Sequence, residues 1–152
     1  MTKRLSTVHF GEIEFIDSDI IRFPKGLPGF ERLKRFLLID GKGLGPFKFL
    51  QSLDEPAISF PLLAPNLVWT EYRFKLTRQQ RRELVLGEEE RELVYCIVTL
   101  SGQPQSTTVN LFAPLVINSS RMLGLQVILL ESGYPVAQPI LLDAQAAETA
   151  RA

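Results

Sequence analysis

Apolar and polar residues alternate along most of this chain, and this period of two constrains the fold more than any other feature of the sequence. In residues 72–76 every second side chain is apolar, and Ile13 and Phe15 alternate with Glu12 and Glu14 in the same way. Short segments of this kind, separated by glycine and proline turns, are typical of β-barrels and β-sandwiches. The sequence therefore predicts an all-β fold, and 152 residues suffice for one compact, barrel-like domain.

The alternation and the turn residues together predict a series of short strands. They cover residues 21–23, 35–40, 47–53, 57–62, 72–76, 93–100, 107–112, 115–118 and 125–130. Near the N-terminus the apolar positions change from even to odd numbers at Gly11. A bulge or tight turn at Gly11 is expected to keep the apolar side chains of residues 8–15 on one side.

Helical structure is predicted mainly between Thr77 and Gly87. Thr77 is a suitable N-cap, Gln80 stands at the capping-box position, and Gly87 is a suitable end. A second short turn is predicted at residues 30–34. Residues 143–152 are alanine-rich and have no large apolar anchor, which predicts a disordered tail after a domain of residues 1–142.

Charge and cysteine content narrow the class of protein. Seventeen basic residues balance seventeen acidic ones, so no net charge attracts the chain to nucleic acid or to a membrane. The single cysteine, Cys96, cannot form an internal disulfide, which is typical of a reducing cytoplasm. The chain also lacks an apolar run of signal-peptide or transmembrane length. We expect a cytoplasmic protein, monomeric when free, that binds neither nucleic acid nor membranes.

The residue types needed for catalysis are sparse. His9 is the only histidine, and no serine lies in a G-x-S-x-G turn, so a serine triad is not indicated. His9 and Cys96 do not show the spacing of metal ligands, and an apolar strand surrounds the cysteine. Glu12 and Glu14 are spaced for acid–base chemistry, but a solvated strand face explains them better. We expect no enzyme, cofactor or metal, with a hydrolase using these carboxylates or Cys96 as a distant alternative.

The second half of the chain carries very little charge. Between residues 93 and 142 the only charged side chains are Arg121 and Glu131. A polar but uncharged β face costs little to desolvate, which suits a protein partner. The other interpretation is that these strands are central and covered on both faces.

The sequence contains, in this order, the strings F-P-K-G-L-P-G-F-E, L-Q-S-L-D-E-P, T-V-N-L-F-A-P-L-V-I-N and Q-V-I-L. These four strings resemble motifs of the FliW family of bacterial flagellar assembly factors. F-P-K-G-L-P-G-F-E at 23–31 is similar to the family signature F-x-x-G-L-P-G-F-E, and L-Q-S-L-D-E-P at 50–56 is similar to L-Q-S-x-D-x-P. T-V-N-L-F-A-P-L-V-I-N at 108–118 resembles T-x-N-L-x-A-P-x-x-x-N, and Q-V-I-L follows at 126–129. The resemblance extends over nearly the whole chain.

The resemblance implies a β-barrel-like domain without catalytic activity and with two competing partners. One partner is flagellin before export, and the other is CsrA, a small dimeric translational repressor. The family function would be to bind CsrA and antagonise its repression of flagellin mRNA until flagellin competes for the same protein. Such a switch requires exclusive or antagonistic binding. The alternative is an export chaperone that only shields flagellin or other flagellar subunits.

Site residues follow from the four strings and the nearby acidic residues. Two prolines that fix φ and two glycines that permit a reversal predict a structural corner, which comprises Pro24, Gly26, Leu27, Pro28 and Gly29. The partner-binding candidates are Glu12, Glu14, Asp17, Asp19, Phe30, Glu31, Gln51, Asp54, Glu55, Asn110 and Asn118. The carboxylates at 12–19 and 54–55 are expected to form an acidic surface for CsrA, because an RNA-binding protein carries positive potential.

Several of these assignments have a second interpretation. Phe30 either plugs one end of the barrel or presents an anchor to a partner. The amides of Gln51, Asn110 and Asn118 either fix nearby backbone or face a partner. The helix arginines Arg78, Arg81 and Arg82 depart from the acidic composition of many FliW proteins, and they offer an alternative contact for an acidic surface of flagellin.

Overall fold

The structure, a computed structural model, describes residues 1–41, 43, 45–103 and 106–140. Its strands are β1 (Lys3–Thr7), β2 (Gly11–Phe15), β3 (Ile21–Arg22), β4 (Arg35–Asp40), β5 (Lys48–Ser52), β6 (Ser59–Leu63), β7 (Leu93–Thr99), β8 (Thr108–Val109), β9 (Leu115–Asn118), β10 (Leu123–Gln126) and β11 (Gln138–Pro139). Helix α1 spans Arg78–Glu83, and single 3-10 turns occur at Asp17–Asp19 and Pro65–Leu67. The all-β prediction is confirmed. The tail predicted for residues 143–152 lies outside the described residues.

Seven strands close into a barrel in the order β3-β4-β5-β6-β7-β9-β10, with β10 returning to β3. Strand β7 closes the sheet because its residues 93–95 pair with β9 while Cys96 and Ile97 pair with β6. The β3–β10 pair is parallel, whereas the other barrel pairs are antiparallel. Strands β8 and β11 extend the sheet from the far end of β7. Closure leaves the barrel strands without free edges.

The N-terminal segment forms a separate hairpin of β1 and β2. Thr7 Oγ1 donates a hydrogen bond to Gly11 O at 2.8 Å and accepts one from Phe10 N at 2.9 Å, which fixes the turn. The Phe10 ring packs on Phe49 with centroids 5.1 Å apart, but Val8 is 69% exposed. The expectation that the apolar side chains of residues 8–15 share one side is therefore wrong, because residues 8–10 form the turn itself.

Both faces of strand β9 are covered, and all four of its residues are buried. One cluster of buried side chains contains Phe23, Phe36 and alternate residues of β9, Leu115 and Ile117. A second cluster contains the intervening β9 residue, Val116, together with residues from the segments around α1 and after β10. Period-two alternation therefore sends successive side chains into two apolar layers. This is the arrangement in which the uncharged strands are central, and it accounts for much of their low charge.

Three strand predictions differ from the structure by more than one or two residues at an end. Residues 72–76 are not a strand: the Tyr72 hydroxyl donates to Leu111 O at 2.7 Å, and Arg73 N donates to the Tyr134 hydroxyl at 3.0 Å. These side chains alternate between buried and exposed positions without a neighbouring strand. The strand predicted at 107–112 shortens to β8, and the one predicted at 125–130 shifts to β10.

Helix α1 begins as predicted. Thr77 Oγ1 accepts a hydrogen bond from Gln80 N at 3.1 Å, and Thr77 N donates to Gln80 Oε1 at 2.8 Å. The helix ends at Glu83, so the end predicted at Gly87 is wrong. The chain leaves the helix through Val85, whose φ is 50°. No helix in the described part of the chain has the length and apolar content needed to cross a membrane.

Candidate protein-binding surfaces

The corner at residues 23–31 is built as the sequence predicts. Phe30 N donates to Leu27 O at 2.7 Å, closing a turn with Gly29 at φ 85°. Gly26 has φ 64°, and a Cβ there would lie 2.6 Å from Glu31 O. Leu27 is only 2% exposed. The corner therefore anchors Leu27 in the barrel core and places the Phe30 ring beside the barrel wall.

The corner forms one wall of an open groove of about 400 Å³, here called the apolar groove. Across it lies the segment around Asn110, and the Phe30 ring packs edge-on against Phe60 with centroids 5.2 Å apart. None of the described residues that line the groove is charged. They are Leu27, Pro28, Phe30, Phe60, Ile97, Thr99, Asn110, Phe112, Ala113, Gln126, Ile128 and Val136.

Polar side chains hold the wall of the groove opposite the corner. Asn110 Oδ1 accepts hydrogen bonds from Phe112 N at 3.0 Å and Ala113 N at 3.1 Å, and Gln126 Nε2 donates to Ala113 O at 2.9 Å. Asn110 thus fixes the backbone break before Pro114, and it lines the groove as well. Ile128 and Val136 remain 43% and 61% exposed, so the groove carries apolar surface that the fold does not cover.

The acidic residues of the N-terminal hairpin are paired with basic neighbours. Arg4 lies 3.5 Å from a Glu12 carboxylate oxygen and 3.3 Å from one of Glu14. Lys3 lies 2.7 Å from Asp17, and this hydrogen-bonded ion pair lowers the pKa of Asp17. All of these side chains are more than half exposed, so solvent screens the pairs and each contributes little to stability. The pairing nevertheless reduces the negative potential of the hairpin.

A second depression, of about 740 Å³, brings carboxylates and apolar side chains together and is here called the acidic depression. Glu14 and Asp19 supply the charge, and Asp19 Oδ2 also accepts a hydrogen bond from Ile16 N at 2.9 Å. The other lining residues are Ile13, Phe15, Ile21, Leu37, Leu38, Ile39, Leu93, Ile117, Ser119 and Met122. Of the six acidic candidates at 12–19 and 54–55, the structure places these two in one concave site.

The carboxylates of Asp54 and Glu31 bind backbone of their own chain. Asp54 accepts hydrogen bonds from Lys34 N at 2.8 Å and Arg35 N at 3.1 Å, and the Arg35 guanidinium lies 2.9 Å away. Partial burial opposes ionisation of Asp54, but these donors together hold its pKa below the ordinary value. Glu31 accepts from Gly29 N at 2.9 Å, which lowers the pKa of Glu31. Glu55 is half-buried, and its N–H donates to Ser52 Oγ at 2.9 Å.

Two of the amide candidates are inside the protein. Gln51 is fully buried, and its Nε2 donates to the carbonyls of Ser52, Pro56 and Ile58 at 3.0–3.2 Å. Asn118 is 1% exposed, and its Nδ2 donates to Leu84 O at 2.8 Å and Val85 O at 3.1 Å. A direct partner contact is therefore withdrawn for both residues, because neither side chain reaches the surface. Their alternative role, fixing nearby backbone, agrees with these bonds.

The nucleophile and metal-ligand candidates do not converge on a site. Cys96 is fully buried, and burial raises the pKa of its thiol to about 12. His9 is exposed in the hairpin turn. Among the described residues, no three histidine, cysteine, aspartate or glutamate side chains lie close enough together to hold a metal ion.

Comparison with known proteins decides the family. A model of the FliW protein family matches residues 4–140. The chain belongs to the FliW family. The flagellar assembly factor FliW of Clostridium tetani is 39% identical over 140 residues, covering 92% of this chain and 97% of that protein. That of Carboxydothermus hydrogenoformans is 42% identical, covering 92% and 90%. A crystal structure of a flagellar assembly factor FliW is 34% identical with a TM-score of 0.86, covering 93% of this chain and 99% of that one.

The strings that carried the FliW resemblance now have places in the fold. Three of the four meet at the apolar groove: residues 23–31 contribute Phe30, residues 108–118 contribute Asn110, and residues 126–129 contribute Gln126. The string at 50–56 lies in the turn that Gln51 and Asp54 fix. The exposed apolar residues Ile128 and Val136 were missed by sequence reasoning, because alternation does not distinguish a covered apolar residue from an uncovered one.

Proposed function

We propose that this FliW-family chain works in flagellar assembly as a non-enzymatic binding protein for flagellin and CsrA. Binding CsrA would antagonise its repression of flagellin mRNA, and accumulating flagellin would compete for the chain and release CsrA. The observation that carries the proposal is the uncharged apolar groove at the meeting point of three family strings. Such surface is suited to protein binding and not to catalysis.

Flagellin is proposed to occupy the apolar groove. The lining offers Phe30, Ile128 and Val136 to apolar side chains of a partner, and among its described residues there is no charged group that would need desolvation. An uncharged apolar groove suits a subunit whose own apolar surface is not yet covered by assembly.

CsrA is proposed to bind at the acidic depression. The carboxylates of Glu14 and Asp19 lie among apolar side chains there, which suits a basic partner that also has an apolar contact. Strand β7 lines both surfaces, with Leu93 at the depression and Ile97 and Thr99 at the groove. A partner that shifts β7 at one surface would therefore affect the other, which gives a physical route to antagonism.

The test is a competition pull-down with CsrA immobilised, the purified chain bound to it, and flagellin monomer titrated in. We expect CsrA to retain the chain and flagellin to strip it off in a dose-dependent way. Retention that is unaffected by saturating flagellin would contradict the switch.

Matched variants assign each partner to its surface. Val136→Glu introduces charge into the apolar groove and should weaken flagellin binding by about tenfold or more, because a charge would have to be desolvated against apolar surface. Val8→Glu, at a similarly exposed position outside the groove, is the control. Glu14→Lys should weaken CsrA binding, whereas Glu12→Lys removes the other carboxylate that pairs with Arg4 and leaves the depression unchanged.

The alternative function is an export chaperone that only shields flagellin or other flagellar subunits. One observation favours it: Glu12, Glu14 and Asp17 are paired with Arg4 and Lys3, which weakens the attraction for a basic partner. In the same pull-down the chaperone would bind flagellin and would never be retained by CsrA.

A further inference from the structure

A third surface lies where helix α1 ends, outside the apolar groove and the acidic depression. It is a depression of about 630 Å³, here called the arginine pocket, lined by Arg81, Arg82, Val85, Leu86, Gly87, Glu90 and Arg121. Three of these side chains are guanidinium groups, and one is a carboxylate. Within the described part of the chain, Arg82 and Arg121 take part in none of the ion pairs. The lining therefore carries more positive than negative charge, with three guanidinium groups against the one carboxylate of Glu90.

Val85 occupies a backbone position in this pocket that normally belongs to glycine. Leu86 N donates to Arg81 O at 2.9 Å and Val85 N donates to Arg82 O at 3.0 Å, which is the Schellman pattern of a helix end. In this pattern the first residue after the C-cap has a left-handed backbone conformation, and Val85, which follows the C-cap Leu84, has φ 50°. A β-branched side chain is strained there. Because Val85 is also 46% exposed, burial does not compensate for the strain.

Side chains donate hydrogen bonds to three carbonyl groups just after this helix end. Asn118 Nδ2 donates to Leu84 O and Val85 O, and Arg81 Nη2 donates to Gly87 O at 2.6 Å. The end of a helix otherwise presents partial negative charge. With these carbonyls occupied, a carboxylate that approaches the pocket meets guanidinium groups and the Val85 side chain. Asn118, which is buried, thus holds the backbone of the strained residue Val85 in place through its hydrogen bond to Val85 O.

We propose that the arginine pocket is a docking site for an acidic segment of a polypeptide, with an apolar side chain of that segment packed on Val85. Arg82 and Arg121 supply donors in the fork geometry that carboxylates accept. An exposed apolar side chain in the same lining, Val85, favours a polypeptide over a nucleic-acid backbone. The proposal goes beyond the function proposed above, because neither of the two surfaces used there contains these residues.

The experiment measures binding to the full chain by fluorescence anisotropy. The probe is a labelled synthetic peptide that alternates glutamate with leucine, and the comparison peptide has glutamine in place of every glutamate. The glutamate peptide should bind at least about tenfold more tightly, and added salt should weaken it. Arg82→Glu and Arg121→Glu should each weaken binding by about tenfold, since they reverse a charge at the contact. Arg32→Glu, at an exposed arginine outside the pocket, should leave it unchanged.

Val85→Gly separates a binding role from a structural one. Glycine suits a positive φ, so this variant should melt at a higher temperature than the wild type while its affinity for the glutamate peptide falls several-fold. A purely structural residue would raise the melting temperature and leave the affinity unchanged, which would overturn the role of Val85.

Three other results would overturn the proposal that the arginine pocket binds an acidic segment. They are equal binding of the two peptides, an Arg121→Glu affinity equal to that of Arg32→Glu, and a single-stranded RNA that binds the pocket more tightly than the glutamate peptide. Flagellin is titrated separately into the same variants. If flagellin binds the wild type and Arg121→Glu with equal affinity while the glutamate peptide binds the wild type more tightly, the arginine pocket is a docking site for a partner other than flagellin. If flagellin binds no variant while the peptide binds, the proposed function fails and the pocket stands.

Discussion

At the scale of single residues, the two glycines of the corner are needed for different reasons. Gly26 and Gly29 both have positive φ, but only Gly26 also lies against backbone, since a Cβ there would be 2.6 Å from Glu31 O. Around Gly29 the space is open. The sequence predicts a reversal at both positions. It does not reveal which of them is pressed against a neighbour, because that contact depends on how the chain returns at Glu31.

Gly26→Ala should therefore destabilise the protein more than Gly29→Ala. The left-handed conformation costs alanine about 1–2 kcal/mol at either position. At Gly26 a clash with backbone adds to that cost, for a total of about 3 kcal/mol or more in the free energy of unfolding. Urea denaturation of the two variants measures the difference. Equal losses would mean that the backbone at Glu31 moves away freely.

At the scale of helices and strands, the sequence predicts best those elements whose position depends on neighbouring residues in the chain. The capping box at Thr77 and strand β9 lie where they were predicted, since both depend on neighbouring residues. Residues 72–76 show perfect alternation and still form no strand, because a strand also needs a partner with free backbone groups. The burial of Gln51 and Asn118 was unpredictable for a similar reason, since the carbonyls that they bind are brought near only by the folded chain.

Asn118 joins two elements, and its removal should show how much that link contributes. In Asn118→Ala the carbonyls of Leu84 and Val85 lose their donor and Ser120 N loses its acceptor. We expect a loss of about 2–3 kcal/mol in unfolding free energy, because these groups lie in or near the core. Faster hydrogen exchange in α1 would locate the effect. Loss of the fold would prevent this comparison, so Asn118→Ser, whose hydroxyl keeps one donor and one acceptor, is made beside it.

Asn66 offers a matched control for Asn118. Its Nδ2 also donates to two carbonyls, those of Thr70 and Tyr72, both at 3.1 Å, but the residue is exposed. Water can replace the lost donor in Asn66→Ala, so the expected cost is only about 0.5–1 kcal/mol. If both alanine variants lost the same free energy, burial would not be what makes the Asn118 link strong.

At the scale of the whole molecule, closure through β7 makes the barrel one cooperative unit. Cys96 lies at the centre of β7, where it pairs with Leu63 of β6 next to the residues that pair with β9. Its side chain is fully buried. The single cysteine, which the sequence places in an apolar strand, is therefore a reporter of the closed barrel. The Cys96 thiol can reach solvent only when β6 and β9 separate from β7.

Labelling of Cys96 by an aromatic disulfide reagent should therefore require opening of the barrel. Because burial raises the pKa of the thiol to about 12, the folded protein holds almost no thiolate at neutral pH. The native rate should be slower than that of the urea-unfolded chain by a factor close to the unfolding equilibrium constant. A fast native rate that does not respond to low urea would reveal a local opening of β7.

A saturating partner that binds only the closed barrel should slow labelling of Cys96 further, by the factor 1 + [L]/Kd. Flagellin and CsrA would then each give a binding constant from the same thiol, independently of any surface label.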